Sequence, residues 1–511
     1  MIDRFPRLPA SLIALLSLPG LGLAQQVQHP VAAGPEAVGI IPLTGDVRLW
    51  FENGGGSNYW RPDCDTLSNG NAIVLGGMRK APWADAVPDS ENTLDMVAVF
   101  SPSGQLLEPA RTGFFTDAGD PWWNTICTSR NDDKFYGLCA DTVSGRADAR
   151  YVVHTIANPD YWPEAFPGHA PERPGEYHTV IQVVGNDGTP LSPVVNPFGS
   201  YSSQQGLLRG GMVRFLSNGN IVVNYEDRQQ AGAVRDALYG GRYGRLVGIV
   251  ILAPDGRVIH GPRAISSLAS GSSENRFGLT SGAGWFAVRY RDAVTGPTIV
   301  GFDNDGNELG RLFPAVHIPE LGGYGGNRGD PNGLEAAGDV LYITHQGAGS
   351  QPKGYLTTIR VGAQGLSVIR TVQFTDWVWS TFEHNADLGV DSAGNVIVMW
   401  QDQAWERFQP GRWEMLARMF DRNLEPLTPS FCMFQIGNNT DLDEVDPVLG
   451  PGRTKQARIA MNDDIIIAIA ESNNVPYGDP TSAAVEMFTY TYIARVLENP
   501  FKTRPNGWSL F

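Results

Sequence analysis

Two patterns of hydrophobic and polar residues alternate along the chain. The first is a short polar turn followed by an apolar, β-branched run that ends in polar residues, as in SNGNAIVLGG from Ser68 and SNGNIVVNYED from Ser217. Its other copies begin at Asn131, Gly282, Gly338, Ser392 and Asn462. The second pattern is an apolar strand that enters a tight turn and leaves it again, as in GIVILAPDGRVI and TIVGFDNDGNEL. The copies recur about every 66 residues, which predicts a sevenfold repeat.

Each repeat is predicted to contain two β-hairpins. Asn-Gly and Asp-Gly between apolar strands are strong hairpin signals, because both central residues of the favoured turn adopt positive φ. We number the four strands of a repeat from first to fourth, going outward from the centre. Seven such repeats predict an all-β fold, a seven-bladed β-propeller of four-stranded antiparallel blades over residues 38–500.

The two ends of the repeat array predict how the ring closes. The seventh repeat stops after its third strand, MFTYTYIARVL, whereas VGIIPLTGDVRLWF from Val38 to Phe51 precedes the first repeat with no partner of its own. We therefore expect the N-terminal segment to supply the outer strand of the seventh blade. That pairing would remove two exposed strand edges.

Three motifs carry a resemblance to known proteins: GFDNDGNEL at Gly301, MFDRNLEPL at Met419 and AGNVIVMWQD at Ala393. Their order of strand, turn and strand resembles the blade repeats of secreted bacterial β-propeller proteins, and the resemblance spans most of the chain. It implies a propeller and, at the level of fold only, similarity to the propeller ulvan lyases, which are polysaccharide lyases. The motifs are structural and imply no particular activity.

Composition and charge narrow the range of functions. The chain has 60 Gly and 36 Pro, and 18% of its residues are charged, which is typical of turn-rich β-structure and not of a helical bundle. A formal charge of −16 without a run of Lys or Arg argues against nucleic acid and anionic membrane surfaces as partners. We expect a monomer without a membrane span.

Both termini are predicted to lie outside the propeller. Residues 1–24 carry two arginines ahead of the apolar stretch SLIALLSL and small residues before Gln25, the pattern of a secretory signal peptide. We expect residues 25–37 to form a linker, residues 501–511 to form a tail, and the mature protein to be secreted or periplasmic.

Exported proteins often contain disulfide bonds, and this chain has four cysteines. Cys127 and Cys139 flank the short polar turn TSRNDD, which would bring facing hairpin strands together. We therefore predict a disulfide between them, and no partner is assigned to Cys64 or Cys432.

Loop lengths distinguish the two faces of the predicted ring. The turns from first to second strand and from third to fourth strand are short, and they define a short-turn face. The second-to-third loops and the blade crossings are long, and they define a long-loop face, where we expect the site. On that face we expect a proline-rich insertion from Asn158, NPDYWPEAFPGHAPERPG, to form either a stiff wall over the site or a packed surface loop. Residues Arg150 to Ile156 are expected to form an additional strand of this insertion.

The candidate site residues lie where strands begin or end at the long-loop face. Aromatic rings and bidentate polar groups suit sugar rings, although each such residue can equally brace adjacent blades. The predicted substrate-binding residues are Trp60, Arg61, Trp122, Trp123, Arg276, Arg328 and Trp400. The predicted catalytic residues are Glu226, Tyr290, Arg291, His345 and His384.

Three functions are compatible with these residues. The preferred one is binding of a glycan or acidic polysaccharide, with catalysis left open. The first alternative is a polysaccharide lyase, in which arginines neutralise a uronate carboxylate while a histidine and Tyr290 transfer the proton in a β-elimination. The second alternative is a glycoside hydrolase that uses two carboxylates. Its candidate carboxylates are Glu226, Asp227, Glu274, Glu383 and Asp402.

No cofactor is expected from the sequence. DNDGNE from Asp303 starts like a calcium loop, but it occupies the third-to-fourth turn of its repeat and is interpreted as a turn. Asp441, Asp443 and Asp446, beside Glu444, would offer oxygen ligands to Ca²⁺, with a solvated acidic loop as the preferred interpretation. The eight histidines show no zinc motif.

Overall fold

The computed structural model is almost entirely β-structure. It describes residues 37–42, 63–78, 94–102, 106–112, 137–157, 178–198, 208–227, 246–267, 273–319, 333–346, 353–375, 386–402, 414–428, 430–433, 454–472 and 491–502. These stretches contain 27 strands in seven antiparallel sheets and one short helix, α1 (Pro314–His317). None of the residues described belongs to a helix that is long and apolar enough to cross a membrane.

Within each of the first three sheets, neighbouring strands follow one another in the chain. Sheet 1 contains β2 (Asp63–Thr66), β3 (Ala72–Met78), β4 (Leu94–Phe100) and β5 (Leu106–Thr112). Sheet 2 contains β6 (Gly137–Ala140), β7 (Arg150–Ala157) and β8 (His178–Gly185). Sheet 3 contains β9 (Leu208–Phe215), β10 (Ile221–Asp227), β11 (Leu246–Leu252) and β12 (Val258–Ala264).

The next three sheets have the same up-and-down order. Sheet 4 contains β13 (Ser273–Gly282), β14 (Trp285–Asp292), β15 (Gly296–Asp303) and β16 (Glu308–Leu312). Sheet 5 contains β17 (Leu334–Ala337), β18 (Val340–Gln346), β19 (Gly354–Gly362) and β20 (Gly365–Gln373). Sheet 6 contains β21 (Asp387–Val390), β22 (Val396–Asp402), β23 (Glu414–Phe420) and β24 (Phe431–Cys432).

Sheet 7 combines the two ends of the chain. It contains β25 (Thr454–Met461), β26 (Ile465–Ser472), β27 (Thr491–Glu498) and, in the outer position, β1 (Ala37–Pro42). The strand β1 runs antiparallel to β27, with Ile40 opposite Arg495. An N-terminal strand therefore occupies the position that the sequence predicted for it, and residues 43–51 of the predicted segment lie outside the described residues.

The hydrophobic core lies between successive sheets. On β22, Ile397 and Met399 pack in a cluster shared with sheet 7, whereas Val396, Val398 and Trp400 pack in a cluster shared with sheet 5. Similar clusters join sheets 2 to 3, 3 to 4 and 4 to 5. Because successive side chains of a strand point to opposite faces, strands buried on both faces are apolar at nearly every position.

Sheet 2 has three strands within the described residues, where four were predicted, and its strand assignment shifts by one. The run GLCA at Gly137–Ala140 is the first strand of the sheet, and the turn after it extends from Asp141 to Ala149. The strand β7, expected to be an extra strand of the insertion, is the second strand and pairs with both β6 and β8. The polar residues from Asn131 led to the wrong assignment, because a polar segment in the sequence can precede a first strand as well as a second strand.

That shift also removes the geometric basis of the predicted disulfide bond. Cys139 lies opposite Val152 of β7, and its thiol is free and buried within the cluster between sheets 2 and 3. The Cys139 Sγ donates a hydrogen bond to the Ala140 carbonyl at 3.3 Å. A Cys127–Cys139 bond is therefore not formed, and Cys127 lies outside the described residues.

The DNDGNE segment is a turn between β15 and β16. The Asp303 carboxylate accepts hydrogen bonds from the backbone N–H groups of Asp305 and Asn307, at 3.0 and 2.8 Å, and from the Asn307 side chain at 2.8 Å. Gly306 has a φ of 83°, in the left-handed region that favours glycine. The carboxylate thus organises the turn itself.

Candidate functional site

A cavity of about 540 Å³ lies among the first strands of all seven sheets. We call it the central cavity. One end is bordered by the short turns after those strands, at Ser68, Thr142, Gly338, Ser392 and Asp463. The cavity is therefore bounded by the first strands and reaches the short-turn face, whereas the sequence placed the candidate site at the long-loop face.

Six charged side chains on the first strands line the central cavity, and three more, Asp391, Asp463 and Asp464, lie at its end bordered by the turns. The six are Asp63, Asp65, Arg214, Glu335, Asp387 and Arg458. Each of the six lies on a first strand whose other residues are mostly apolar or small. Asp63 and Asp65 are two residues apart on β2, so the pleat of the strand directs both carboxylates to the same side.

An ion pair joins sheets 3 and 5 across the intervening first strand of sheet 4. The Arg214 guanidinium Nη2 lies 3.5 Å from Glu335 Oε1. Thr280 on β13 donates a hydrogen bond from its hydroxyl to Glu335 Oε2 at 3.4 Å. The side chains of Arg214 and Glu335 are 13% and 34% exposed, so the pair remains open to the cavity.

Three of the carboxylates also hold neighbouring first strands together. Asp63 Oδ2 accepts the backbone N–H of Leu138 at 3.0 Å, and Asp65 Oδ2 accepts that of Ala140 at 2.8 Å. Asp387 Oδ2 accepts the backbone N–H of Ile459 at 3.0 Å. A first strand is the edge of its sheet, and these carboxylates supply acceptors for N–H groups that its own sheet does not pair.

Burial changes the protonation of the cavity carboxylates. It raises the pKa of Asp65 to about 6 and that of Glu335 to about 7, with the Arg214 guanidinium opposing both changes. Burial also raises the pKa of Asp63, and Arg458 opposes that rise. Carboxyl groups that titrate near neutral pH inside a cavity are suited to proton transfer and to binding that depends on charge.

The described part of the chain contains no group of three or more His, Cys, Asp or Glu side chains arranged to hold a metal ion. The predicted calcium ligands Asp441, Asp443 and Asp446 lie outside the described residues.

The described members of the predicted site lie mainly between sheets. Glu226, Tyr290, His345 and Trp400 are each at most 1% exposed. Tyr290 donates its hydroxyl to the Ile265 carbonyl at 3.0 Å, and the Trp400 ring packs against Phe374 with centroids 5.2 Å apart. Arg291 is exposed. The structure thus places four of these five side chains away from solvent.

The remaining predicted residues are not described at the side-chain level. Arg276 lies on β13, but only its backbone is described. The others, Trp60, Arg61, Trp122, Trp123, Arg328 and His384, lie outside the described residues. The proposed long-loop site therefore stays a prediction.

Sequence reasoning missed the central cavity because it considered where first strands begin. The candidates chosen there mostly precede the described first strands, whereas the charges that line the cavity lie on those strands, from the first residue of β2 and β21 to the next-to-last residue of β9. A usable signal is a charged residue inside a short strand that is otherwise apolar or small, as in DCDT at Asp63, LEAA at Leu334 and DLGV at Asp387.

Comparisons with known proteins give distant structural similarities. The sequence matches no family model and no curated protein. The polysaccharide lyase Uly1 is similar over 91% of this chain and 99% of its own, at 10% identity and a TM-score of 0.46. The sialidase of Trypanosoma rangeli, solved with the inhibitor DANA, is similar over 89% of this chain and 59% of its own, at 11% identity and a TM-score of 0.36.

A third similar structure is the α-L-arabinofuranosidase PaAbf62A of Podospora anserina, solved with cellotriose. It covers 57% of this chain and 91% of its own, at 10% identity and a TM-score of 0.30. With TM-scores below 0.5, none of these similarities assigns an activity to this chain, and the proposals below depend on its own residues.

Proposed function

We propose that the seven sheets are the blades of a closed seven-bladed β-propeller. Two contacts support closure: β2 packs against both β6 of the next sheet and β25 of the last, and β1 pairs with β27. The intervening first strands contact one another in chain order, from β6 through β9, β13, β17 and β21 to β25. Closure would place the central cavity on the axis of the ring.

We further propose that this propeller engages a carbohydrate in the central cavity. The observation that carries the proposal is a cavity of about 540 Å³ whose first strands contribute four carboxyl groups and two guanidinium groups to the lining. That volume lies within the range of small-ligand sites. Carboxylate and guanidinium groups form bidentate, charge-assisted hydrogen bonds, which suit the paired hydroxyls of a sugar ring.

The electrostatics of the cavity argue against an acidic polysaccharide as its ligand. Four carboxylates face two guanidinium groups there, and Arg214 already pairs with Glu335. A uronate group would meet net repulsion. Lyase chemistry, which requires cations free to neutralise that group, therefore stays a proposal for the long-loop face, with Arg276, Arg291 and Arg328 as its candidate cations.

Glycoside hydrolysis in the central cavity is a second candidate function. Glu335 and Asp65 interact with the same guanidinium, and burial raises the pKa of both into the range of catalytic acids. In such a reaction one carboxyl group would protonate the leaving oxygen while the other would assist the attacking water or bond to the sugar carbon.

A panel of soluble polysaccharides tests these functions. Neutral, amino-sugar and uronate polymers are incubated with the protein, followed by affinity electrophoresis, reducing-end assay and ultraviolet absorbance. Retention without new ends indicates binding, new reducing ends indicate hydrolysis, and new ultraviolet absorbance indicates elimination. The variant Glu335→Gln is expected to lose retention, whereas Glu425→Gln, whose side chain pairs with Arg370 on the surface, should keep it. If no polymer is retained or cleaved, the carbohydrate proposal fails.

We also propose that the protein is exported, with residues 1–24 removed. N-terminal sequencing of the protein from a culture that expresses the full chain tests this. A mature terminus at Gln25 in the medium or periplasm is expected, and a cytoplasmic protein that begins at Met1 contradicts export.

A further inference from the structure

We infer that the central cavity selects a cationic sugar, one that carries a free ammonium group, and that Glu335 and Asp65 determine this selectivity. The inference rests on the proposed carbohydrate function and adds the charge class of the ligand. It is carried by three properties of the cavity: the balance of its charges, the pairing of its arginines and the fixed orientation of its carboxylates.

Carboxyl groups outnumber guanidinium groups in the lining of the cavity. Four carboxylates face two guanidinium groups among the first strands. At the end bordered by the short turns, Asp391, Asp463 and Asp464 add further carboxylates to the lining. Lys502 pairs with Asp464 at 2.6 Å and offsets one of them. A cationic ligand would therefore be attracted both at this end and inside the cavity.

Both arginines in the cavity are engaged with the protein itself. Arg214 lies 3.5 Å from Glu335, and the carboxylates of Asp65 and Asp63 act on the same guanidinium. Arg458 is 4% exposed, donates a hydrogen bond to the Ala457 carbonyl at 3.1 Å and lies close enough to Asp63 to affect its pKa. Each guanidinium is thus already engaged in part by protein groups, which disfavours a uronate or sulfate sugar as the ligand.

The carboxylates are held in fixed orientations before any ligand arrives. Asp65 accepts backbone N–H groups with both oxygens, from Thr66 at 2.7 Å and from Ala140 at 2.8 Å. Glu335 is held by Thr280 and Arg214. Each carboxylate oxygen has a second lone pair, so a fixed carboxylate still accepts a hydrogen bond from an ammonium or a hydroxyl group. Fixed acceptors lose little conformational entropy on binding.

Proton release distinguishes recognition of charge from simple contact. Asp65 and Glu335 titrate at about pH 6 and about pH 7, so at pH 6.5 both are partly protonated. A bound ammonium group lowers the pKa of a neighbouring carboxyl and expels its proton. Binding of a cationic sugar should therefore release protons to the buffer, and binding of a neutral sugar should not.

The experiment compares two oligosaccharides that differ only in charge. Calorimetric titrations at pH 6.5 use glucosamine oligomers and N-acetylglucosamine oligomers of equal length, in two buffers of different ionisation enthalpy. Electron-withdrawing ring and hydroxyl oxygens lower the pKa of a sugar amine to near neutral, so the titrations are repeated at pH 5.5, where the glucosamine oligomer is charged and takes up few protons of its own. We expect it to bind at least tenfold more tightly, to release protons and to weaken as salt is added.

Two variants and one control assign the effect to the cavity. Glu335→Gln and Asp65→Asn should each lower affinity for the glucosamine oligomer about tenfold and reduce proton release, with a clearly smaller loss of affinity for the acetylated oligomer. Glu425→Gln, the same change on the outer surface, should alter neither. The salt and proton measurements on the unaltered protein keep the test valid if a cavity variant fails to fold.

The outcomes separate this inference from the proposed function. Equal affinity for both oligomers, with no proton release, overturns charge selection and leaves carbohydrate binding in place. Binding of spermidine as tightly as of the glucosamine oligomer overturns the sugar part, because charge alone would then suffice. Absence of binding by these oligomers and by every polymer of the panel overturns both proposals.

Discussion

The Trp400 indole fills space between sheets 5 and 6. It is fully buried, its ring centroid lies 5.2 Å from that of Phe374, and it belongs to a cluster with Leu356, Leu388 and Leu416. A tryptophan at the end of a second strand was predicted to stack on a sugar. Here the strand is covered on both faces up to this residue, so the ring contributes to the stability of the fold.

Trp400→Ala is expected to destabilise the protein by roughly 3–5 kcal/mol, the range for large aromatic residues cut back in a packed core. The measurement is the free energy of unfolding in urea. Val316→Ala on α1, where the valine is 74% exposed, is the control and should change stability little. A loss for Trp400→Ala no larger than that of the control would mean that the indole is not a core group.

His345 is held neutral by its surroundings. It is 1% exposed, and burial together with the nearby Arg289 guanidinium lowers its pKa well below the usual value of 6.5. Arg289 in turn donates to the Thr344 carbonyl at 2.8 Å. A histidine in this setting is poorly suited to exchange protons with a ligand near neutral pH.

Stability is expected to depend on pH through His345. The unfolded chain protonates the imidazole below about pH 6.5, whereas the folded protein resists protonation, so stability falls as the pH drops below that value. His345→Gln should reduce this fall. Melting temperatures of both proteins between pH 8 and pH 5 measure it, and the difference between them isolates His345 from Asp65 and Glu335, whose raised pKa values act in the opposite direction. Parallel pH profiles would contradict this account.

At the scale of elements, the turns fix how neighbouring sheets approach each other. Gly256, between β11 and β12, has a φ of 85°, and a Cβ placed there would lie 2.5 Å from Val195 of sheet 2. Gly284, between β13 and β14, has a φ of 86°, but a Cβ there would meet nothing within 4 Å. The two turns therefore share a backbone requirement, and only one of them also packs against a neighbour.

This pair of glycines separates strain from packing. Gly284→Ala should lose about 1–2 kcal/mol, because alanine disfavours the left-handed region. Gly256→Ala should lose more, since it also displaces Val195. Urea unfolding of the two variants makes the comparison. Equal losses would show that the approach of sheets 2 and 3 does not depend on Gly256.

At the scale of the whole molecule, β1 links the two ends of the chain. Without it, β27 would present an open strand edge, and sheet 7 would have only β25, β26 and β27. The contacts of β2 and β3 with β25, β26 and β27 would then remain as described links between sheets 1 and 7.

Two truncations test this closure. A chain without residues 1–36 keeps β1, and a chain without residues 1–42 lacks it. The first should melt at the same temperature as a chain without residues 1–24, whereas the second should melt at a clearly lower temperature and aggregate through the exposed edge. Identical melting curves for the two truncations would mean that β1 does not stabilise the fold.

Local signals in the sequence determined much of this molecule. Alternating apolar runs and Asp-Gly or Asn-Gly turns predicted the β-class, the strand pairs of six sheets and a partner for the last sheet in the N-terminal segment, because these depend on pleat and turn conformation within a few residues. Sheet 2 was the exception, since a polar segment before a first strand resembles one before a second strand. His345 and Trp400 were located on their strands by the same signals.

Only the tertiary structure decided which side chains meet. Four charged residues from four sheets line one cavity, although each is more than a hundred residues from the next along the chain: Asp63, Arg214, Glu335 and Arg458. Periodicity specifies the face of a strand on which a residue lies, but not what covers that face. Burial, pKa and partnership arise from packing between sheets, so the sequence determined the sheets, and their assembly determined the central cavity.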